Sequence, residues 1–200
     1  MKPETTPSPK SKQTIHGATV RFTGDSGDGM QLVGAQFTSV TGLAGNDVMT
    51  FPDFPAEIRA PQGTTAGVSG FQVHFGDHHI YTPGDKVDVL VAMNPAALKA
   101  NLKDLRDRGV LLVNSDEFDE KNLTKVDYKS NPLDDDALKE KYRLIAAPIT
   151  ESTRRALAES GLTTKEIDRC KNFFALGLTY WMYQRDIEKT KKWLEQQFAK

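Results

Sequence analysis

The chain has a single cysteine, no long apolar run and almost no net charge. Cys170 cannot form an internal disulfide, and alone it cannot hold zinc or an iron–sulfur cluster, because those sites need several thiolate or imidazole ligands. No stretch of about 18 apolar residues could span a bilayer, and the N-terminus lacks the apolar segment of a signal peptide. We therefore expect no membrane span and a reducing, cytoplasmic location.

The charges nearly cancel, since 26 Lys and Arg residues stand against 27 Asp and Glu residues and leave a net charge of -1. Such a chain has no bulk positive field to hold a nucleic acid through counterion release, so we expect no nucleic-acid partner. With 38% hydrophobic residues among 200, the composition is typical of a soluble globular chain with about one domain.

The order of apolar runs predicts an α/β, Rossmann-like, three-layer domain with a mainly parallel sheet. Residues 1–15, rich in Pro, Ser, Thr and Lys, are predicted to be a disordered lead-in to one domain over 16–200. A strand, a glycine loop and a helix follow one another at the start of that domain, as in doubly wound sheets. Strands are predicted at 18–22, 48–51, 67–75, 87–93, 109–114 and 143–147, and helices at 30–44, 95–108, 150 onward, 164–183 and 187–198.

Three segments carry more specific expectations. Three prolines in 52–63 predict a long irregular loop, and His79–Tyr81 is a possible strand paired with 67–75 across a turn. The acidic stretch 116–141 is predicted to be an exposed, partly loose insertion. The helix 164–183 has one broad predicted apolar face. That face consists of Ile167, Cys170, Phe173, Phe174, Gly177, Leu178 and Trp181.

The segment Gly24–Gly29 is the sharpest local motif, because glycines between a strand and a helix let backbone amides approach an anion. It matches neither the dinucleotide fingerprint, where Leu32 occupies the third glycine position, nor the phosphate loop, where Met30 and Gln31 replace Lys and Ser or Thr. Asp25 and Asp28 would also repel phosphate. A purely structural tight turn is the alternative interpretation.

Several other residues leave a functional and a structural interpretation open. Glu57 and Arg59 are either a solvated ion pair or a loop clamp for a carboxylate or phosphate. Asp53 is either a ribose ligand or an ordinary loop residue. Asn172 is either a polar ligand contact or a helix-edge residue. The histidines 74, 78 and 79 are interpreted as surface residues and Cys170 as a buried inert thiol.

Four segments together resemble the gamma-type domain of 2-oxoacid:ferredoxin oxidoreductases. They are Arg21–Met30, Thr50–Pro61, Gly67–Phe75 and Lys171–Gly177, and the likeness is strongest to the N-terminal part of the alpha subunit of the 2-oxoglutarate enzyme. The resemblance implies oxidative decarboxylation of a 2-oxoacid, transfer of the acyl group to coenzyme A and electron transfer to ferredoxin. An alpha subunit of this family should continue past Lys200 into a thiamine-binding domain, so the resemblance implies that the chain is either one domain cut from such a subunit or a separately encoded subunit.

The resemblance further implies a site and its partners. Cofactor-binding residues carried over by position are Gly27, Asp28, Gly29, Met30, Glu57, Arg59 and Asn172, with coenzyme A as the ligand and no catalytic or metal-binding residue in this chain. Thiamine diphosphate, magnesium and iron–sulfur clusters belong to other domains or subunits, namely a thiamine-binding alpha-type domain and a beta subunit. Two alternatives remain, a subunit-docking module without a ligand site and a nicotinamide- or flavin-binding domain.

Overall fold

The structure, a computed structural model, describes residues 13–57 and 59–198. Most of the predicted disordered lead-in over 1–15 therefore lies outside the described residues, and residues 13–15 have no regular structure. Among these described residues, six strands form one sheet. They are Gly17–Asp25 (β1), Asp47–Asp53 (β2), Val68–Gly76 (β3), Val87–Ala92 (β4), Leu105–Asn114 (β5) and Arg143–Ala147 (β6).

The strand order in the sheet is β2-β3-β1-β4-β5-β6. Strand β3 runs antiparallel to both of its neighbours, whereas β1, β4, β5 and β6 pair in parallel. Helices cover both faces of this sheet, which confirms the predicted α/β, three-layer domain with a mainly parallel sheet.

In the described ranges, eight α-helices follow or connect the strands. They are Met30–Leu43 (α1), Pro95–Asn101 (α2), Glu120–Thr124 (α3), Asp136–Lys141 (α4), Ile149–Ala156 (α5), Thr164–Arg169 (α6), Lys171–Tyr183 (α7) and Glu188–Phe198 (α8). Within the described part of the chain, none of these helices combines the length and apolarity needed to cross a membrane.

Two apolar cores lie on opposite faces of the sheet. The first packs α1, α5 and α7 against one face, and its centre holds Phe22 and Phe37 with their ring centroids 5.6 Å apart. The second packs α2, α3 and α4 against the other face through residues such as Leu98 and Leu138. Adjacent residues of one strand point to opposite faces, so Leu111 enters the second core and Leu112 the first.

The edge of the sheet differs from the sequence prediction. Pro52 belongs to β2, which is an edge strand, and a strand with one open side tolerates a residue without an amide hydrogen. The possible strand at His79–Tyr81 is wrong, because β3 already has β1 and β2 as its two neighbours. Its histidine instead lies near Asp47, with 3.3 Å between Nδ1 and Oδ2.

The predicted end of one helix and the predicted start of the following strand are also wrong. The helix that begins after Asn94 ends at Asn101 rather than near Arg108, and β5 begins at Leu105, four residues before the predicted start. The residues added at the start of β5 cause a shift in the register between β4 and β5. Val87 pairs with Leu105, whereas Val89 pairs with Val110. Leu105 is buried in the second core. Burial of this apolar side chain explains why β5 begins earlier than predicted.

The acidic stretch 116–141 is ordered, contrary to the prediction of a loose insertion. It contains α3 and α4, and Asp119 and Asp135 cap the two helices by accepting hydrogen bonds from Asn122 and Ala137. The buried apolar residues of the stretch close the second core. They are Phe118, Leu123 and Leu138.

The predicted helix 164–183 is divided at Cys170 into α6 and α7. The face of α7 that is buried also differs from the predicted apolar face. Trp181 is 66% exposed and Gly177 is exposed, although both belong to the predicted apolar face. The residues of α7 that are buried are Asn172, Ala175, Leu176, Thr179 and Tyr180. Residues of both faces are apolar, so the sequence periodicity does not distinguish them.

Candidate functional site

A narrow cleft lies at the carboxyl ends of the parallel strands, beside β1 and β4. After β1 the chain enters α1 on one face of the sheet, whereas after β4 it enters α2 on the other face. Such a reversal leaves a crevice in which open α/β sheets commonly bind ligands. The cleft has a volume of about 160 Å³. It is lined by Asp25, Asp28, Gln62, Gly63, Asn94, Pro95, Glu117, Asn122, Lys125 and Lys171.

A larger hollow, of about 390 Å³, lies over residues 128–135. All of its lining residues belong to the one loop between α3 and α4, and it is the more open of the two to solvent. The cleft is the stronger candidate because several elements converge on it. Among the described residues, no group of three or more His, Cys, Asp or Glu side chains is arranged to hold a metal ion.

The glycine loop Gly24–Gly29 forms a tight turn around Asp28. The amide of Asp25 donates to Oδ2 of Asp28 at 3.0 Å, and the amide of Asp28 donates to the carbonyl of Asp25 at 2.8 Å. Gly29 ends the turn with φ at 71°, and a Cβ there would lie 2.4 Å from Nδ2 of Asn172. Backbone conformation and lack of space therefore both require glycine at position 29.

Of the four predicted loop residues, the structure brings Asp28 to the cleft. Gly27 is exposed, Gly29 lies against α7 and Met30 is buried in the first core. The amides of Asp25 and Asp28 bond within the turn, and the amide of Ser26 donates to the carbonyl of Gly67 at 3.0 Å. These three amides are thus already used, and the turn has the structural role that the sequence left open.

Lys171, the first residue of α7, joins two walls of the cleft. Its ammonium lies 3.3 Å from Oδ1 of Asp28 and 3.5 Å from Oε1 of Glu117, and only 17% of its side chain is exposed. Burial lowers the pKa of Lys171, but the negative charges of Asp28 and Glu117 outweigh it and hold the pKa above its ordinary value. The ammonium therefore stays charged. Sequence reasoning missed this residue; a lysine at the start of an otherwise apolar helix was the available signal.

Asn172 lies behind the cleft wall and is not one of its lining residues. The side chain is buried against Gly29, and its Oδ1 accepts a hydrogen bond of 2.8 Å from the amide of Phe173. Its position links α7 to the glycine loop. Asn172 can therefore influence a ligand in the cleft through the position of the loop.

The carboxyl group of Asp25, which lines the cleft, has a raised pKa. Burial, followed by the nearby charge of Asp28, raises its pKa, while hydrogen bonds from Asn94 and from the amide of Gly63 partly offset the rise. The Gly63 amide donates to Oδ2 at 2.9 Å. Asn94 also caps α2, since its Oδ1 accepts from the amide of Ala97 at 2.8 Å. The carboxyl group thus holds the loop with Gly63 and the end of β4 together.

Glu57 and Arg59 lie on the same loop as Gly63 but outside the cleft. Both are exposed, and no ion pair or side-chain hydrogen bond joins them in the described structure. The solvated ion pair is thus not formed, and the guanidinium of Arg59 faces solvent. It is Gln62 and Gly63 of this loop that line the cleft.

The other candidate residues lie outside the cleft lining and contact other parts of the protein. Asp53 pairs with the buried guanidinium of Arg21 at the sheet edge, away from the cleft. His74 bonds to the carbonyl of Thr82 at 2.7 Å and is half-buried, and the exposed histidines 78 and 79 lie beside acidic side chains. Cys170 is half-buried rather than buried, and burial raises its pKa, which keeps the thiol protonated and weakly reactive.

Comparison with known proteins gives one family and one curated relative. The pyruvate ferredoxin/flavodoxin oxidoreductase family matches residues 19–200. The 2-oxoglutarate oxidoreductase subunit KorA of Mycobacterium tuberculosis is 50% identical over 189 residues, which are 94% of this chain and 29% of that protein. The chain thus spans less than a third of the length of this relative.

Solved structures show the same fold at low sequence identity. A 2-oxoglutarate:ferredoxin oxidoreductase from Magnetococcus marinus, solved with 2-oxoglutarate, coenzyme A and succinyl-CoA bound, aligns with a TM-score of 0.69 at 22% identity and covers 93% of this chain and 28% of its own. The gamma subunit of a keto/oxoacid ferredoxin oxidoreductase from Geobacter sulfurreducens aligns with a TM-score of 0.55, also at 22% identity, over 82% of this chain and 75% of its own.

Proposed function

The chain belongs to the pyruvate ferredoxin/flavodoxin oxidoreductase family, and from this premise we propose that it is the coenzyme A-positioning domain of a 2-oxoglutarate:ferredoxin oxidoreductase. The whole enzyme would decarboxylate 2-oxoglutarate oxidatively, transfer the acyl group to coenzyme A and reduce ferredoxin. The observation that carries the proposal is the 50% identity to a 2-oxoglutarate oxidoreductase subunit over 94% of the chain.

The cleft supports a positioning role in this chain. It lies at the carboxyl ends of the strands, and the bound coenzyme A of the Magnetococcus enzyme, which shares the fold, makes this cofactor the first ligand to test. Holding the thiol beside an acyl intermediate would accelerate transfer by fixing the geometry of the two reactants. Asp28 would contact the ligand, Arg59 would reach it from the loop, and Asn172 would hold the glycine loop in place.

Thiamine diphosphate, magnesium and the iron–sulfur clusters are assigned to other parts of the enzyme. The chain has one cysteine, and an iron–sulfur cluster needs several thiolate ligands. A thiamine-binding alpha-type domain and a beta subunit would therefore be partners, with ferredoxin as the electron acceptor. We place the enzyme in the cytoplasm, where a free thiol such as Cys170 stays reduced.

Calorimetric titration of coenzyme A tests the proposal, first with this chain and then with the chain assembled with its thiamine-binding partners. We expect saturable heat in the assembly and a weaker affinity in Arg59→Ala. Arg155→Ala, which removes an exposed arginine of α5 that does not line the cleft, is the matched control. Absence of binding in both samples at millimolar ligand contradicts a positioning role.

A docking role is a second candidate, because large apolar side chains are exposed. Phe54 is 68% exposed and Trp181 is 66% exposed. Burial of these side chains against a partner subunit would remove apolar area from water, which favours association. Co-purification of the partner subunits with a chain that binds no coenzyme A would favour docking over positioning.

A further inference from the structure

We infer that the outer face of α7 is a contact between two copies of this chain, paired about a two-fold axis at Gly177. The outer face is the side of the helix that is exposed or only half-buried. It consists of Phe173, Phe174, Gly177, Leu178 and Trp181. The proposed function does not use this surface.

The outer face is apolar and in contact with water. Trp181 is 66% exposed and Gly177 is exposed, while the other three residues of the face are half-buried. The opposite side of α7 is apolar as well, since it buries residues such as Leu176 and Tyr180. A helix that is apolar all round is typically buried on every side. Burial of the outer face against another molecule would remove its apolar area from water, which favours association.

Gly177 is in the middle of a helix, where a glycine is unfavourable. It is the seventh of the 13 residues of α7, and glycine inside a helix is less stable than alanine. A Cβ at Gly177 would have space, since apart from its chain neighbours and the backbone of its own helix no described atom lies within 4 Å. The described structure thus gives no steric reason for glycine here. Close approach of a second helix backbone would give one.

The charge and the symmetry of the outer face fit a second copy of the chain. No charged residue occurs between Lys171 and Tyr183, so two such faces can meet without repulsion between like charges. Phe173 and Trp181 lie four residues before and four residues after Gly177, on the same side of the helix. Two antiparallel helices that cross at Gly177 therefore bring Phe173 of each copy to Trp181 of the other. Aromatic rings in such contacts attract each other.

The other exposed apolar row, on the edge strand β2, does not fit a second copy. Met49 and Phe51 point to one side of β2 together with Asp47 and Asp53, because alternate residues of a strand share a face. Two β2 strands paired antiparallel about Thr50 would place Asp47 of each copy opposite Asp53 of the other. Like charges directly opposite each other are destabilising. The outer face of α7 has no such charges.

The contact is small, so we expect a weak dimer. A helix of 13 residues is about 20 Å long. One pair of such helices buries less than the roughly 1,200 Å² of a standard stable interface, which is typical of transient contacts. We therefore expect a dissociation constant on the order of 100 μM, which corresponds to a standard free energy of about -5 kcal/mol.

Sedimentation velocity of the full chain tests the inference, with samples from about 5 to about 1,000 μM that span the expected dissociation constant. We expect monomer at the low end and dimer at the high end. Trp181→Lys should weaken association more than about tenfold, because it buries unpaired charge in an apolar contact. Tyr81→Lys is the matched control. Tyr81 is 82% exposed on the segment between β3 and β4, and its substitution should leave association unchanged.

Gly177→Ala distinguishes an interface glycine from one without a role. In the monomer it should raise the equilibrium constant for folding about fivefold, as replacing a helical glycine by alanine does. It should also weaken association about tenfold, because two methyl groups would meet where the helices cross. Urea unfolding at low concentration measures the first effect and sedimentation the second. Gly42→Ala, at an exposed position of α1, is the control that should leave association unchanged.

Four results would overturn the inference. The natural chain could stay monomeric over the whole concentration range, or form a dimer that Trp181→Lys leaves intact and that therefore uses another surface. Unchanged association of Gly177→Ala would contradict the close crossing of the helices. If the chain does not self-associate but Trp181→Lys weakens its binding to the thiamine-binding partners, the outer face binds a different protein. None of these results changes the expected binding of coenzyme A, which tests the proposed function separately.

Discussion

At the residue scale, positions 25, 28 and 29 show how the cleft wall is built. Gly29 lets the backbone turn with a positive φ while Asn172 occupies the space that a side chain would need. Asp28 holds the turn and pairs with Lys171, and Asp25 remains partly buried beside it. Each role depends on contacts with distant segments, so single substitutions should report on those contacts.

Gly29→Ala should destabilise the protein more than Gly161→Ala. Both glycines have φ near 75°, at 71° and 76°, so both variants bear the left-handed backbone cost of about 1 to 2 kcal/mol. Only at position 29 does the added Cβ meet another side chain, which adds about 1 kcal/mol or more. Urea unfolding of the two variants measures the difference. Equal losses would show that Asn172 does not restrict this position.

Asp25→Asn should change how stability depends on pH. The folded pKa of Asp25 is raised above 3.8, so the folded state binds more protons than the unfolded state just above that pH. The free energy of unfolding therefore falls as pH rises through this window, and the asparagine variant, which lacks the titration, gains relative stability there. The gain is about 1.4 kcal/mol for each unit by which the pKa is raised.

Asp47→Asn is the control of opposite sign. Hydrogen bonding to the amide of Ile80 lowers the pKa of Asp47, so its contribution to stability is present above pH 3.8 and is lost on acidification. This variant should lose relative stability as pH rises through the window just below 3.8. Urea unfolding from pH 3 to 7 measures the free energy of unfolding of both variants relative to the natural chain. If this difference changed with pH in the same direction for both variants, the raised pKa of Asp25 would be contradicted.

At the element scale, α7 shows how an apolar helix chooses its buried face. Both of its faces contain apolar residues, and the structure buries the one that includes Asn172 and Tyr180. Tyr180 stacks on Phe37 with ring centroids 6.1 Å apart, and Asn172 lies against Gly29. Contacts with α1 and the glycine loop, rather than the helix's own periodicity, therefore determine the rotation of α7.

Leu176→Ala should cost more stability than Leu178→Ala. Leu176 is fully buried in the first core, and truncating such a leucine costs about 2 to 5 kcal/mol. Leu178 is only partly buried, so the same truncation should cost about half as much or less. Thermal unfolding of both variants checks the rotation of the helix. A larger loss of stability in Leu178→Ala would instead support the buried face that the periodicity predicted.

At the scale of the whole molecule, one sheet separates two cores, and its central strands serve both. Leu111 and Leu112 are consecutive residues of β5 but belong to different cores. Because the strands are shared, loss of packing on one face should weaken the other. We expect the described domain to unfold as one cooperative unit, as single domains of this size often do.

Leu111→Ala and Leu112→Ala should each destabilise the whole domain by about 2 to 5 kcal/mol. In both variants the midpoint denaturant concentration should fall, while the slope of the free energy of unfolding against denaturant concentration should stay the same. Far-ultraviolet circular dichroism and tryptophan fluorescence, measured on the same samples, should give coincident transitions. Two separate transitions in either variant would show that the cores unfold independently.

The sequence by itself determined the α/β class, the approximate positions of all six strands and the presence of a glycine loop at Gly24–Gly29 between the first strand and the first helix. Continuous apolar runs, glycines and prolines act over a few neighbouring residues, so these features are encoded locally. The Thr163–Glu166 capping box is also local, yet the break at Cys170 that follows α6 was not predicted.

The tertiary structure decided the edge pairing of β2 and β3, the buried face of α7 and the composition of the cleft. Lys171 meets Asp28 and Glu117 only because the fold brings the end of β5, the glycine loop and the start of α7 together. Likewise Gly63 and Asn94 reach Asp25 from two different loops. Such contacts join residues far apart in the chain, and their energy depends on burial and charge that no short stretch of sequence contains.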